Sequence, residues 1–442
     1  MMIKNSLYAF IDEHRDNIIN DLVTMVSIPS VNNSENWEKD NEKAFQEWFA
    51  RRCKRIGLAV DMWAEDKDRL RPNVVAMRKG SGGGRSLMFN GHCDVVPVQN
   101  PENWVHEPFS GTVVDGKLYG RGASDMKAGL AAYIWAMEAL SACGVKLKGD
   151  AFIASTVGEE SGEGETIGAA SVIKRGYMPD FGIVGEGTNL ELRIASSSIF
   201  MFELTIRGKA VHGKCRNQVL YPQPNRLPSG PAVGVDALEK ALPFIEMFRR
   251  MEFEWNHRWK HPVIGSGGHP VKDSQGVGAF CINPAIIKGG IYRASINPFL
   301  KINYMVWHPP EISRDRVIEE ITRKVNALAQ TDDWLVENPP EIKVPYPRKP
   351  WEGFSTQEDC EGITVMEKTF RELFNQDISI TGMRAVCDGT WFERSGVPTV
   401  LLGPGSTLQG VHGDNEFVFI ENVMKCTKLY SSYAIDWCGL DA

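Results

Sequence analysis

Two histidines and a scatter of acidic residues are spaced along this chain in a way that suits the holding of metal ions and the movement of protons. His92 and Asp94 close an apolar run, Ser86–Pro97. Two apart on an extended strand, they share one face while Cys93 turns to the other. An imidazole that binds a cation through one nitrogen usually donates its other N–H to a carboxylate, which fixes its tautomer and raises its basicity. Taken alone, a His-x-Asp tripeptide also fits a strand end that meets solvent.

Four further segments repeat the theme. Gly120–Lys127 is a glycine-rich turn that opens a helix and carries Asp125, which by itself reads as an ordinary N-cap. The apolar run 151–157 ends in Gly158-Glu159-Glu160; adjacent residues in extended chain face opposite ways, so one glutamate can grip a metal while its neighbour moves protons. The run 181–184 ends in Gly185-Glu186, and His412 lies in a turn before the last helix. Two histidines and three carboxylates are the donor set that a pair of zinc-like ions needs, with a carboxylate such as Asp125 bridging them. No one of these residues makes a metal site. Their placement after successive strands, where an open α/β sheet puts its ligands, makes coincidence much less credible.

The elements that must position these groups follow from hydrophobic periodicity. Helices are expected over 6–27, with Leu7, Phe10, Ile11, Ile18, Ile19, Leu22 and Met25 on one stripe, and over 41–56. Short apolar runs at 74–77, 87–90, 113–119, 151–157 and 181–184 read as strands, with helices at 127–142 and 165–175 between some of them. That alternation predicts an α/β layer around a largely buried sheet. Gly82-Gly83-Gly84 lacks the Lys-Ser/Thr of a phosphate loop and reads as a hairpin turn.

From Ser198 the texture changes. Strand-like 200–207, helical 235–255, strand-like 280–288 and 300–307, helical 314–328 and strand-like 341–345 give the order βαββαβ of a split-βαβ, ferredoxin-like sandwich. After Pro350 the α/β texture returns, with helices at 358–374 and 421–437 and strands at 378–381 and 399–402. The expected organisation is a catalytic α/β domain in two parts, 1–197 and 346–442, with an inserted domain over 198–345. The proline-rich stretch 214–231 is expected to be a long loop, and 257–276 resists assignment.

Composition narrows the class. The chain has 442 residues, 43% hydrophobic and 24% charged, near the globular average and long enough for two or three units at roughly 100–200 residues each. A net charge of -7 denies it the basic field that nucleic acid demands, so a small-molecule partner is expected. The N-terminal segment carries charges too early for a signal-peptide core, and no apolar run approaches the roughly 18 residues of a membrane span. Nine scattered cysteines without Cys-x-x-Cys spacing suit reduced thiols in a cytoplasm.

His92-x-Asp94, Trp104 with Pro108-Phe109, Leu118-Tyr-Gly-Arg-Gly-Ala-x-Asp-Met-Lys127, Gly158-Glu-Glu160, Gly185-Glu186, Gly208-Lys-Ala-Val-His-Gly213 and His412-Gly-Asp-Asn-Glu416 occur in this order. Together they resemble the metallopeptidase family of acetylornithine deacetylase, succinyl-diaminopimelate desuccinylase, aminoacylase and carboxypeptidase G, over about residues 20–437. The resemblance implies an α/β catalytic domain with a mixed, largely parallel sheet and an inserted ferredoxin-like lid and dimerisation domain. It further implies that His92 and Glu186 bind one divalent ion, Glu160 and His412 a second, and Asp125 both. Zn2+ is the expected metal, with Co2+ or Mn2+ as alternatives. Asp94 would orient His92, Glu159 would be the general base, His212 would steady an oxyanion in the neighbouring subunit of a homodimer, and the Asp125–Met126 peptide would be cis.

The expected reaction is metal-dependent hydrolysis of the amide of an N-acyl amino acid or similar amine. A dipeptidase or carboxypeptidase on the same scaffold, and a binding protein of this fold without catalysis, are the alternatives. Two departures from the family pattern bear on substrate. Gly187 stands where a proline often follows the glutamate, and Trp307 stands where many members have an arginine. Arg384, Arg293 and Asn283 are then the candidates for substrate binding, with Lys214, Arg216 and Arg226 as further anion readers.

Overall fold

The computed structural model describes residues 2–32, 42–65, 71–265, 278–344 and 351–441. They fall into two compact units, one of Met1–Ala195, Phe354–Gly382 and Cys387–Ala442, the other of Ser196–Gly353 and Met383–Val386.

The first unit is built on a nine-stranded mixed sheet. Its order is Ala59–Trp63, Asn73–Arg78, Ala151–Thr156, Leu87–His92, Phe181–Val184, Thr399–Leu401, Leu192–Ser196 and Phe354–Ser355, with Ile380–Met383 also pairing Leu192–Ser196. The four central strands, from Ala151–Thr156 to Thr399–Leu401, run parallel, and antiparallel pairs lie outside them. Buried on both faces, the central strands need continuous apolar runs rather than alternation, which is why Leu87, Met88 and Phe89 are all inaccessible.

The helix Ala128–Ala142 has twelve of its fifteen residues buried, as expected of a helix apolar on every side. Tyr133 from it and Tyr430 from the helix Ile420–Cys438 flank Phe89, with ring centroids 4.8 and 5.3 Å away. Burying a side chain of this size contributes roughly 1.5–3 kcal/mol. The Tyr133 hydroxyl donates to the main-chain oxygens of Asn90 and Ile183 at 3.3 and 3.2 Å. The helix is thereby fixed against the two strands that lead to His92 and Glu186.

Three local expectations are corrected. The segment between Asn73–Arg78 and Leu87–His92 is not a hairpin, because Ala151–Thr156 lies between those strands; the glycines turn the chain across it. The run 113–119 is two strands, Thr112–Val114 and Lys117–Tyr119, because Asp115 and Gly116 at φ 49° and 73° form a tight turn that an Asp-Gly pair favours. The stretch 214–231 is broken into short helical turns, including Arg216–Leu220.

The second unit is a four-stranded antiparallel sheet in the order Cys281–Gly289, Phe299–His308, Ser198–Arg207, Glu341–Lys343, the ferredoxin-like arrangement. Strand Phe299–His308 alternates strictly, sending Leu300, Ile302, Tyr304, Val306 and His308 into the core. The helices Ala237–Arg258 and Arg314–Ala329 cover that core with Phe244, Phe248, Trp255, Val317, Ile321 and Val325. Asp236 and Ser313 cap their first turns by accepting from Leu238 N and Arg316 N. The expected boundary at 345/346 and most of the unassigned stretch 257–276 lie outside the described residues.

Candidate metal centre

Three of the four parallel strands end in a residue or turn of the candidate site, and the loop after the fourth leads to His412. His92 is the last residue of its strand, Glu159 and Glu160 follow Thr156, and Glu186 follows Val184. The loop after Leu401 reaches His412, whose backbone is left-handed at φ 59°. Asp125 comes from elsewhere, the turn Ala123–Lys127 before the long buried helix, and its peptide bond to Met126 is cis.

The structure brings five of these groups together. Nε2 of His92 lies 3.2 Å from Oδ1 of Asp125 and 3.8 Å from Oε1 of Glu186. Nε2 of His412 lies 3.4 Å from Oδ2 of Asp125 and 3.0 Å from Oε2 of Glu160. Ligand atoms of His92, Asp125 and Glu160 are all within 4.8 Å of one another. Nδ1 of His92 is 2.9 Å from the main-chain oxygen of Asp94, an atom that only accepts, so this nitrogen carries a proton and Nε2 is the atom that faces the carboxylates.

The Asp94 carboxylate has other partners. Its Oδ1 is 3.7 Å from the imidazole, while it accepts from Asn32 Nδ2 at 3.0 Å, Glu160 N at 3.0 Å and Glu159 N at 3.4 Å. Asp94 thus fixes the turn that presents both glutamates.

The electrostatics are those of a crowded, poorly hydrated acidic cluster. Burial, reinforced by Asp125, pushes Glu160 up to about 7 and Glu186 up to about 8. Burial also drives Glu159 well above the usual carboxylate range, His92 opposing and Glu160, Glu186 and Asp388 adding to the rise. For Asp125, burial acts upward but is outweighed by hydrogen bonds from His412 and His92, which hold it below its ordinary value. His412 is raised to about 10 by its bonds to Asp125 and Glu160. Carboxylates forced this close favour protons or cations between them, and the mixed imidazole and carboxylate donors fit a divalent ion of the zinc type.

The remaining candidates lie in the second unit. His212 is exposed, and its Nδ1 accepts from Lys214 N at 3.1 Å, which leaves Nε2–H as an outward donor. Arg384 donates through Nη2 to the carbonyl of Gly265 and, at 3.4 Å, to that of Gly278. Arg293 and Asn283 are exposed, the latter on the edge strand Cys281–Gly289. Arg216 is engaged with Asp236 at 2.7 Å and with Glu239.

Sequence reasoning gave no role to two buried carboxylates. Asp388 is fully buried beside the cluster, 2.9 Å from Thr156 Oγ1, and its charge bears on Glu159 and Glu186. Glu416 is also buried and is bonded to the turn that carries Asp125. The signal for Glu416 was its place four residues beyond His412; for Asp388 it was an acid in an otherwise apolar and small-residue stretch, Ala385–Thr390.

An α/β unit whose parallel strands deliver imidazoles and carboxylates to one point, with a separate ferredoxin-like unit in the same chain, defines a metallohydrolase architecture. Residues 88–436 match Peptidase family M20/M25/M40, and the chain belongs to that family. Two relatives are named N-formyl-4-amino-5-aminomethyl-2-methylpyrimidine deformylase. The one from Halalkalibacterium halodurans is 29% identical over 100% of this chain and 99% of its own, and the one from Bacillus subtilis 30% identical over 98% and 97%. Among solved structures, an M20 family metallo-carboxypeptidase from Sulfolobus solfataricus shares the fold, with a TM-score of 0.67 and 15% identity over 94% of this chain and 98% of that one. The protein is a hydrolase of amide bonds in N-acylated amines, and the family implies use of divalent metal.

Proposed function

We propose that the protein is a deformylase that hydrolyses the N-formyl group of an aminomethyl-substituted pyrimidine. The observation that carries this reading is the end-to-end similarity, 29% and 30%, to two relatives that bear that activity in their names. A formyl group and a neutral heterocycle require no carboxylate reader.

In this reading His92 and Glu186 would hold one ion and Glu160 and His412 another, with Asp125 available to both. The chemistry that bound divalent ions supply is Lewis acidity toward a carbonyl oxygen and toward water, and the nitrogen and oxygen donors favour Zn2+. Glu159 takes the proton from the attacking water and returns it to the amine nitrogen as the C–N bond breaks, so formate and a free amine leave. The burial that raises Glu159 suits a group that must both take and give a proton. Asp94 holds the Glu159–Glu160 turn in register and, through its main-chain oxygen, the tautomer of His92. His212, whose Nε2–H is left free to donate, would steady the oxyanion in the neighbouring subunit of a homodimer.

The enzyme is proposed to work as a homodimer in the cytoplasm. The edge strand Cys281–Gly289 exposes Ile286 and Ile287, followed by Ile291 and Tyr292, an apolar edge suited to pairing with a second copy. All nine cysteines are free, which suits a reducing compartment. Among the described residues no helix is long and apolar enough to cross a membrane.

The test is a release assay that pairs N-formyl and N-acetyl aminomethylpyrimidines with N-acyl amino acids and free-amine dipeptides. Formate release from the first at the highest kcat/KM is the expected result. Turnover confined to dipeptides would replace the deformylase reading with the peptidase one.

A further inference from the structure

The Glu416 carboxylate accepts four hydrogen bonds, all from the segment 121–125 that leads into the Asp125 turn. Its Oε1 accepts from Ser124 N at 2.9 Å and Asp125 N at 3.1 Å. Its Oε2 accepts from Gly122 N at 3.0 Å and Arg121 Nη1 at 2.7 Å. Its main-chain oxygen accepts from Gly120 N at 2.8 Å. Arg121 in turn donates through Nη2 to the oxygen of Gly413, at 2.9 Å, beside His412. Both residues are 1% exposed.

We infer that Glu416, paired with Arg121, is a positioning residue that sets the Asp125 main chain and fixes the spacing between the Asp125 and His412 loops. Four donors converge on one carboxylate, and three of them are main-chain N–H groups of the turn itself. Only an acceptor at both oxygens satisfies them. An amide of the same shape must turn its NH2 toward two of these donors, whichever way it is flipped. The turn is then left with buried unpaired N–H groups, and it relaxes. Because Asp125 offers one oxygen to each imidazole, a small rotation of its main chain disturbs both halves of the centre together.

This inference rests on Asp125 being a metal ligand, and the experiment separates the two claims. In the wild-type protein, hydrogen exchange followed on peptides spanning 120–127 reports the clamp without any metal measurement. The amides of Gly122, Ser124 and Asp125 should be strongly protected, and exchange at the rate of an open loop overturns the inference. In Glu416→Gln, metal retained against graded chelator, read by elemental analysis, should weaken by about 10- to 100-fold. The rise in melting temperature on adding Zn2+ should shrink with it. If Glu416 served the fold alone, the melting temperatures of metal-loaded and metal-depleted forms would fall equally and affinity would stay unchanged, which also overturns it. Should Glu416→Gln fail to fold, Arg121→Lys keeps the charge and the main-chain bonds but loses the second donor arm, and unchanged affinity there counts against the clamp. An Asp125→Asn variant with wild-type affinity removes the ligand reading itself, and the inference with it.

Discussion

His92 and His412 address different oxygens of one carboxylate: their Nε2 atoms lie 3.2 Å from Oδ1 and 3.4 Å from Oδ2 of Asp125. One histidine ends a central strand, and the other sits in a left-handed turn near the C-terminal end of the chain. The carboxylate between them belongs to neither segment. Such an arrangement divides the site into two halves that share an acid, the geometry in which two cations can be neighbours.

Removal of the metal should cost stability as well as activity. Buried carboxylates at Glu159, Glu160, Glu186 and Asp388 repel one another, and a cation that binds only the folded state stabilises it by about 2.7 kcal/mol at a hundred times its Kd. Treatment with a chelator is expected to lower the melting temperature and abolish turnover, with both restored by added Zn2+. Superimposable melting curves with and without chelator would refute a shared metal centre.

Replacing Glu159 separates proton transfer from metal binding. Glu159→Ala should retain its metal content and lose about 10²- to 10⁴-fold in kcat. Elemental analysis alongside steady-state kinetics checks both halves. Wild-type turnover would take Glu159 out of the mechanism.

The approach of the long buried helix to the Glu186 strand leaves no room for a methyl group. A Cβ on Gly129 would sit 2.6 Å from the main-chain oxygen of Gly185, the residue before Glu186. Gly129→Ala should therefore destabilise the first unit by about 1–3 kcal/mol and lower metal retention, read by denaturant unfolding and metal analysis. A neutral result would mean that the helix can shift without disturbing the site.

His308 gives the second unit a pH dependence of known sign. Its side chain is fully buried, Nδ1 donates to the oxygen of Pro309 at 3.0 Å, and Nε2 has no hydrogen-bond partner among the described residues. Burial holds its pKa below the ordinary 6.5. A histidine depressed in the folded state binds fewer protons there than when unfolded, so its contribution is present above pH 6.5 and is lost as pH falls below it. Histidine-selective NMR should show a midpoint under 6.5, and a midpoint at or above that value would contradict the environment described.

Periodicity located the central strands within a residue or two at each end, because a strand buried on both faces must be apolar throughout. It went astray where one turn decides the path. The Asp115-Gly116 pair folded an apparent single strand into a hairpin. The Gly82 region crosses a strand that arrives much later in the sequence.

The sequence by itself determined the kinds of donor and their places at strand ends, since residue chemistry and strand period are local properties. Only the tertiary structure decided which atoms those donors meet. It turned the Asp94 carboxylate to the amides of Glu159 and Glu160 and gave the imidazole a main-chain oxygen instead. It also brought Glu416 back across the chain to the turn that carries Asp125. A hydrogen bond depends on where two distant segments come to rest, and that is fixed by the packing of the sheet and its helices, which no local pattern records.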